Sequence, residues 1–471
     1  MFKSSPVILV LFAIACYRAY TLVYPQERCE KDPPIRLWVD FLTVKPQQQQ
    51  QQQHDDDDDG AAAAATKEFS WDACHVFSLE YRDARQTFRH AARTAGAQTT
   101  SLPIVWENNG SGSSSSSSND DDDDDFPLTT DIAILKGDLP GILVHSSATH
   151  GVEGYAGSAI QVALLQEGIL PPASERPTIV LIHAVNPSGM KHYRRFNEHN
   201  VDLNRNAISN WEDVLVTRDP NVAGYEDFRE WVSPERMPTW WDRTLGFWWK
   251  VIPALVEHGE LALKRMLVAG QYHHPEGVFY GGSKLEPSIE HLLAFVTDPE
   301  REILAPIGKK KDPVVWIDVH TGLGPFGLDT VATEKPILLD EMKKWFPTPH
   351  DHLTPDAKNT GALDGYELVQ GSLLSLIYKT SQNTVLGLTQ EFGTIPGVLV
   401  ARASILENMM HNYGDEEGRR TWGRAWMQPA YYPQSTIWRA SIVKRGIALI
   451  LESLEYIVAN QSQEEPMSAD Q

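Results

Sequence analysis

Gly141-Ile-Leu-Val-His-Ser-Ser-Ala-Thr-His-Gly-Val-Glu-Gly-Tyr-Ala-Gly157 is the stretch on which the reading of this chain turns. Its opening run, Gly141–Ser146, is short and apolar, the pattern of a strand buried on both faces of a sheet. From Gly157 to Gln166 the pattern becomes helical. Between strand and helix, His150 and Glu153 stand three apart on a glycine-bearing turn, so both can face one ion. Imidazole nitrogen and carboxylate oxygen are good zinc ligands at about 2.0–2.2 Å. Alone, a His-x-x-Glu pair also describes many exposed turns.

Outward from this stretch the same alternation recurs. Thr178–Val185, Pro313–Val319 and Thr384–Thr389 are further short apolar, β-branched runs, and Thr99–Trp106 and Thr129–Lys136 read as a pair of strands. Residues 78–95, Val251–Val268 and Ser435–Val458 carry helical periodicity. Strands alternating with helices imply an α/β fold with a mixed, mostly parallel central sheet and helices on both faces. Open sheets of this kind place ligands beyond the C-terminal ends of their strands. Polar clusters fall there. After Thr178–Val185 come Asn186-Pro-Ser-Gly189, Arg194, Arg195 and Asn200-Val-Asp-Leu-Asn-Arg205. His320 ends one strand in Asp318-Val-His-Thr-Gly322, and Glu391 ends another in Gln390-Glu-Phe-Gly393. An apolar setting raises the pKa of a carboxylate, as a general base or acid requires. The Trp-rich stretch from Trp240 to Trp249 reads as aromatic packing under a long connection.

Composition narrows the functional classes. The chain has 471 residues, 42% of them apolar, and a formal charge of −22. Asp55–Asp59 and Asp120–Asp125 supply eleven of the negative charges. So acidic a chain is poorly suited to a phosphate backbone, and no nucleic-acid partner is expected. Three cysteines make no disulfide scaffold, and no Cys-x-x-Cys pair is present. Lys3 and the apolar run Pro6–Cys16, with Ala13 and Ala15 in an A-x-A arrangement, read residues 1–24 as a signal peptide or signal anchor. The expected location is therefore secreted or in the secretory pathway, with a membrane anchor if the segment is kept. Residues 25–65 read as a low-complexity disordered linker and 66–460 as the catalytic domain, with 108–125 a disordered insertion and 461–471 a tail.

Six motifs together resemble the zinc carboxypeptidase superfamily, which includes the aspartoacylase and succinylglutamate desuccinylase branch. They are Ser147-Ala-Thr-His-Gly-Val-Glu-Gly154, Asn186-Pro-Ser-Gly189, Val201-Asp-Leu-Asn-Arg-Asn206, Gly270-Gln-Tyr272 with Phe279-Tyr-Gly-Gly282, Asp318-Val-His-Thr-Gly-Leu-Gly324 and Glu391-Phe-Gly-Thr394. The chain is more closely similar to a carboxypeptidase-like group of unknown function within it. The resemblance spans Phe69 to Glu455. It implies that His150, Glu153 and His320 hold one zinc, with water in the fourth position, and that Glu391 is the general base and acid. It implies that Asn204 and Arg205 bind the substrate's carboxylate and that Arg194 or Arg195 polarises the scissile carbonyl. Tyr366 and Tyr378 are the candidates for a tyrosine that closes over substrate. Asp318, two residues from His320 on one strand face, is placed to orient that imidazole.

The expected activity is hydrolysis of an amide bond next to a free carboxylate, in a peptide C-terminus or an N-acyl amino acid. A serine hydrolase would need a G-x-S-x-G elbow, and a different zinc protease class an HExxH helix; the chain has neither. A non-catalytic peptide-binding module would be expected to lack Glu391 or a ligand, and all are present.

Overall fold

The computed structural model describes residues 66–461, except 72, 105–126, 167, 305–311, 335, 336, 338, 355–365 and 382–384, together with a strand at 35–40. Strand β1 (Ile35–Asp40) pairs antiparallel with β2 (Thr66–Trp71). This corrects the reading of 25–65 as linker throughout: in Ile35-Arg-Leu-Trp-Val-Asp40 the aliphatic Ile35, Leu37 and Val39 fall at period two, with Arg36, Trp38 and Asp40 between them. The N-terminal apolar run, residues 108–125 and residues 462–471 lie outside the described residues.

The remaining strands are β3 (Gln98–Pro103), β4 (Thr129–Leu135), β5 (Leu139–Ser146), β6 (Pro177–His183), β7 (Val314–Phe326), β8 (Asp329–Ala332), β9 (His352–Thr354) and β10 (Val385–Gly393). They form one sheet in the order β3-β4-β6-β5-β7-β10-β8-β9. The four central strands, β6, β5, β7 and β10, run parallel. Antiparallel pairings join β4 and β3 on one side and β8 on the other. The sheet is thus mixed, with a parallel centre.

Strand side chains alternate between faces, and the core divides accordingly. Leu143, Val315, Ile317, Leu386 and Leu388 pack with the helices Tyr81–Thr94, Gly154–Leu164 and Thr436–Ala459. Val144, Val314, Trp316 and Val385 pack on the other face with Pro287–Thr297 and Leu373–Thr380. Period two then puts Asp318, His320 and Glu391 on the face of Trp316 and Val385.

A third apolar cluster lies outside the sheet. Phe247, Val251, Leu263 and Met266 pack against Ile405 and Met409 of the helix Gly397–Tyr413. The expected helix Val251–Val268 is a pair, Phe247–His258 and Glu260–Val268, broken at Gly259. Gly259 adopts φ +80°, a left-handed conformation that suits glycine. Of the tryptophans expected to pack here, Trp248 does so, with its ring centre 5.3 Å from that of Phe247. Trp240, Trp241 and Trp249 are 67, 46 and 63% exposed, so they are not packed under a connection. Trp240 and Trp241 precede the first helix of the pair, and Trp249 lies in its first turn. Among the described residues no helix is long and apolar enough to cross a membrane.

Candidate metal centre

The site stands at the C-terminal ends of β5 and β10 and midway along β7, which continues past the expected end at Val319 to Phe326. Leaving β5, the chain turns through a 3₁₀ segment, Gly151–Glu153, with His150 as its N-cap and the helix Gly154–Leu164 following. The turn is pressed onto the loop after β6: the Gly151 and Val152 amides donate to the Arg195 and Arg194 carbonyls. A Cβ on Gly151 would lie 2.0 Å from the Gly189 carbonyl carbon, so only glycine fits there. This contact holds His150 and Glu153 against the strand ends.

His320 faces them from β7. Its Nδ1 lies 3.1 Å from His150 Nδ1 and 3.1 Å from Glu153 Oε2. His150 Nδ1 lies 3.1 Å from Glu153 Oε1. All three residues are buried. Four ligands about 2.0–2.1 Å from a tetrahedral centre stand roughly 3.3 Å apart, close to these separations. The outer nitrogens support the same reading. His150 Nε2 lies 3.0 Å from Asp202 Oδ1, and His320 Nε2 lies 2.8 Å from Asp318 Oδ2. A carboxylate on one ring nitrogen fixes the tautomer and turns the other nitrogen's lone pair inward. Two such lone pairs and a carboxylate then face one another in a buried space, an arrangement that a cation relieves. These residues fit a divalent metal.

The carboxylates are held charged. Burial disfavours the charge on Glu153, but His150, His320 and Arg195 keep its pKa well below the usual range. Asp202 is held low in the same way, chiefly by Arg195 and His150. Asp318 accepts from Ser146 Oγ at 2.7 Å and Thr149 Oγ1 at 2.9 Å as well. Glu391 differs. It lies opposite His320 in the β7–β10 ladder, accepts from the Leu323 amide at 2.9 Å, and is pushed up to about 7 by burial and the nearby Glu153 charge.

The two adjacent arginines part company. Arg195 NH1 reaches Glu153 Oε1 and its Nε reaches Asp202 Oδ2, both at 3.1 Å, with the guanidinium 4.8 Å from the Phe279 ring centre. It lines the cavity at the metal centre. Arg194 turns away to Glu407 at 2.7 Å and Asn200 Oδ1 at 2.7 Å, outside the cavity lining. The two tyrosines also separate. Tyr366 lines the cavity, where burial and the Glu391 charge raise its pKa. Tyr378 exchanges hydrogen bonds with the Gly387 backbone and is not among the lining residues.

Asn204 and Arg205 line the cavity beyond Arg195. The Arg205 guanidinium is fully buried and donates to the Val268 and Asn204 carbonyls. Among the described residues no carboxylate forms an ion pair with it. Its charge reaches the Asp202 carboxylate only through space, and a buried cation that lacks a direct partner favours an anion in the cavity. Asn204 Oδ1 accepts from the Leu373 amide.

Sequence reasoning gave no role to three residues of the site. Asp202 lay within a quoted motif, but its pairing with His150 joins segments 52 residues apart. Phe279 adopts φ +55° beneath Arg195. Tyr431, buried, lines the cavity with its hydroxyl 2.8 Å from Ser404 Oγ. Ala148, Ala184, Tyr193 and Asn200 also take positive φ close to the site in sequence. For an L-residue such conformations cost about 1–2 kcal/mol, and surrounding structure must impose them.

No curated protein matches this chain. Solved structures similar to it include thrombin-activatable fibrinolysis inhibitor, at 10% identity and TM-score 0.39, covering 82% of this chain and 76% of that one. Carboxypeptidase A from Helicoverpa armigera follows at 11% identity and TM-score 0.36, covering 76 and 75%. Murein-tripeptide amidase MpaA from Escherichia coli O157 is 16% identical at TM-score 0.28, covering 62 and 89%. These superpositions are loose and add nothing to the geometry of the site. Residues 77–445 match the family described as protein of unknown function (DUF2817), and the chain belongs to that family.

Proposed function

We propose that this protein is a zinc-dependent hydrolase of an amide bond next to a free carboxylate. The observation that carries the reading is one cavity of about 550 Å³ that brings His150, His320, Glu391 and Arg205 together. When bound by His150, Glu153 and His320, zinc would polarise the scissile carbonyl and acidify a water. Arg205 would take the substrate carboxylate, through the guanidinium hydrogens that the Val268 and Asn204 carbonyls leave over, with Asn204 beside it. Arg195 would donate to the carbonyl oxygen as negative charge develops there. Glu391, with its pKa raised toward neutrality, would accept a proton from water and return it to the departing nitrogen. Tyr366 would cover the bound substrate between Arg205 and Glu391. Arg194 and Tyr378 would serve the scaffold.

The test is a screen of the zinc-loaded chain against C-terminal dipeptides and N-acyl amino acids, each paired with its carboxamide. Hydrolysis of free acids, with carboxamides at least tenfold poorer, is expected. Preference for carboxamides would refute the requirement for a free carboxylate, and no hydrolysis of either series would refute the hydrolase and favour a binding module.

A further inference from the structure

The cavity has two unlike ends. Around the metal centre its walls are polar. The helix Gly397–Tyr413 carries Ser404, which meets Tyr431 beside Arg195, and on the same helix Val398, Ala401 and Ile405 line the cavity. Facing them are Val251, Leu255, Leu263 and Met266 of the paired helices, with Phe247 and Trp231. The charged lining residues of that pair, Glu260 and Lys264, are exposed and half-buried respectively. The walls of this chamber are therefore almost wholly carbon.

A substrate with its carboxylate on Arg205 and its carbonyl at Arg195 must send its acyl part past Arg195, toward Tyr431 and Ser404. Ser404 shares its helix with Val398, Ala401 and Ile405, so the chamber wall continues from this point, while Val268 of the paired helices borders Arg205 at the other end. A peptide continuing there would bury backbone N–H and C=O groups that apolar side chains cannot satisfy, at about 1–3 kcal/mol for each group. An alkyl chain has no such groups. Resting on the hydrolase reading above, we infer that the acyl part of the substrate is an extended apolar chain, and that the substrates are N-acyl amino acids with medium or long acyl chains. The cavity volume lies within the range of sites that enclose small organic ligands.

The experiment uses the full zinc-loaded chain and N-acyl-L-leucines from acetyl to dodecanoyl, with kcat/KM measured for each. Burying a methylene contributes about 0.8 kcal/mol, so kcat/KM should rise about fourfold per methylene until the chamber is filled. Titration calorimetry on the zinc-loaded Glu391→Gln protein should show Kd falling by the same factor, a readout that needs no turnover. Ala401→Phe should flatten both slopes at shorter chain length, and if that variant does not fold the parent series decides alone. A flat or falling dependence on chain length overturns the inference while leaving an amide hydrolase standing. So does an acetylated leucine tripeptide that binds as tightly as the decanoyl compound, which would make the chamber a peptide site. Failure to hydrolyse any acid substrate, with Kd still falling along the series, would refute the hydrolase reading and leave an acyl-chain binding chamber.

Discussion

The polar and apolar ends of the cavity are built on different principles. The metal end is built on the sheet backbone: His320 and Glu391 are ladder partners on β7 and β10, and the His150–Glu153 turn is pinned by backbone bonds to Arg194 and Arg195. His150, Glu153 and His320 each have two or more polar partners, so their positions are set redundantly, while Glu391 is held by the Leu323 amide. The apolar end is made of helices outside the sheet that meet chiefly through side-chain packing, which fixes volume and shape but aims no single group. On the proposed function, chemistry is placed where backbone geometry enforces it, and selectivity where substitutions are cheap. Mutations at the first end should alter rate or metal content, and mutations at the second should alter choice of substrate.

The largest effect expected of a single substitution that keeps the metal is at Glu391. Glu391→Gln retains shape and the Leu323 contact but cannot accept a proton. Turnover should fall at least about 100-fold, within the 10²–10⁴ range for a positioned acid–base group, with zinc and fold retained. Near-parental turnover in single-turnover kinetics would remove Glu391 from the mechanism.

Arg205→Ala should come next. Loss of a charge-assisted contact worth about 1.5–3 kcal/mol should raise KM for free acids by roughly 10- to 100-fold. Carboxamides should be little changed, and equal losses on acid and carboxamide would make Arg205 a packing residue only. Asp202→Asn keeps the volume but removes the charge that orients His150. Zinc affinity, from competition with a chelating dye, should weaken by about 10- to 100-fold, with Asp318→Asn acting likewise through His320. Unchanged affinity in both would deny the two aspartates their positioning role. The smallest effect is expected from deleting Asn108–Asp125 and joining its ends with Asn-Gly: yield and kcat/KM should stay within about twofold, since a Ser/Asp tract has little to bury. Insoluble protein would show that the tract packs on the body.

The metal end was the more legible in the sequence. Short β-branched runs followed by His150, His320 and Glu391 betray the strands that carry the site, and the alternation of strand and helix orders them in one sheet. Helical periodicity likewise located Tyr81–Thr94 and Thr436–Ala459 to within a few residues. Pairings across distant segments were not legible. Adjacent residues such as Arg194 and Arg195 differ in role because one meets Glu407 and the other Glu153, and no local pattern encodes that. The apolar chamber was hidden for a related reason. An apolar helix stripe reads as core whether it meets another helix or a cavity, and the tryptophans before it are exposed although composition suggests burial. In β1 the opposite error occurred, because six ordinary strand residues border a polar tract that dominates the local composition.

The central claim is that His150, Glu153 and His320 together hold one zinc ion. It is tested most directly by zinc content, measured by elemental analysis after dialysis, in the parent, His150→Ala and His320→Ala, all lacking Asp55–Asp59 and Asn108–Asp125 so that neither aspartate run holds metal. About one zinc per chain is expected in the parent and little in either variant, with circular dichroism showing that both remain folded. Full occupancy in both folded variants, or no zinc in the parent, would contradict the account.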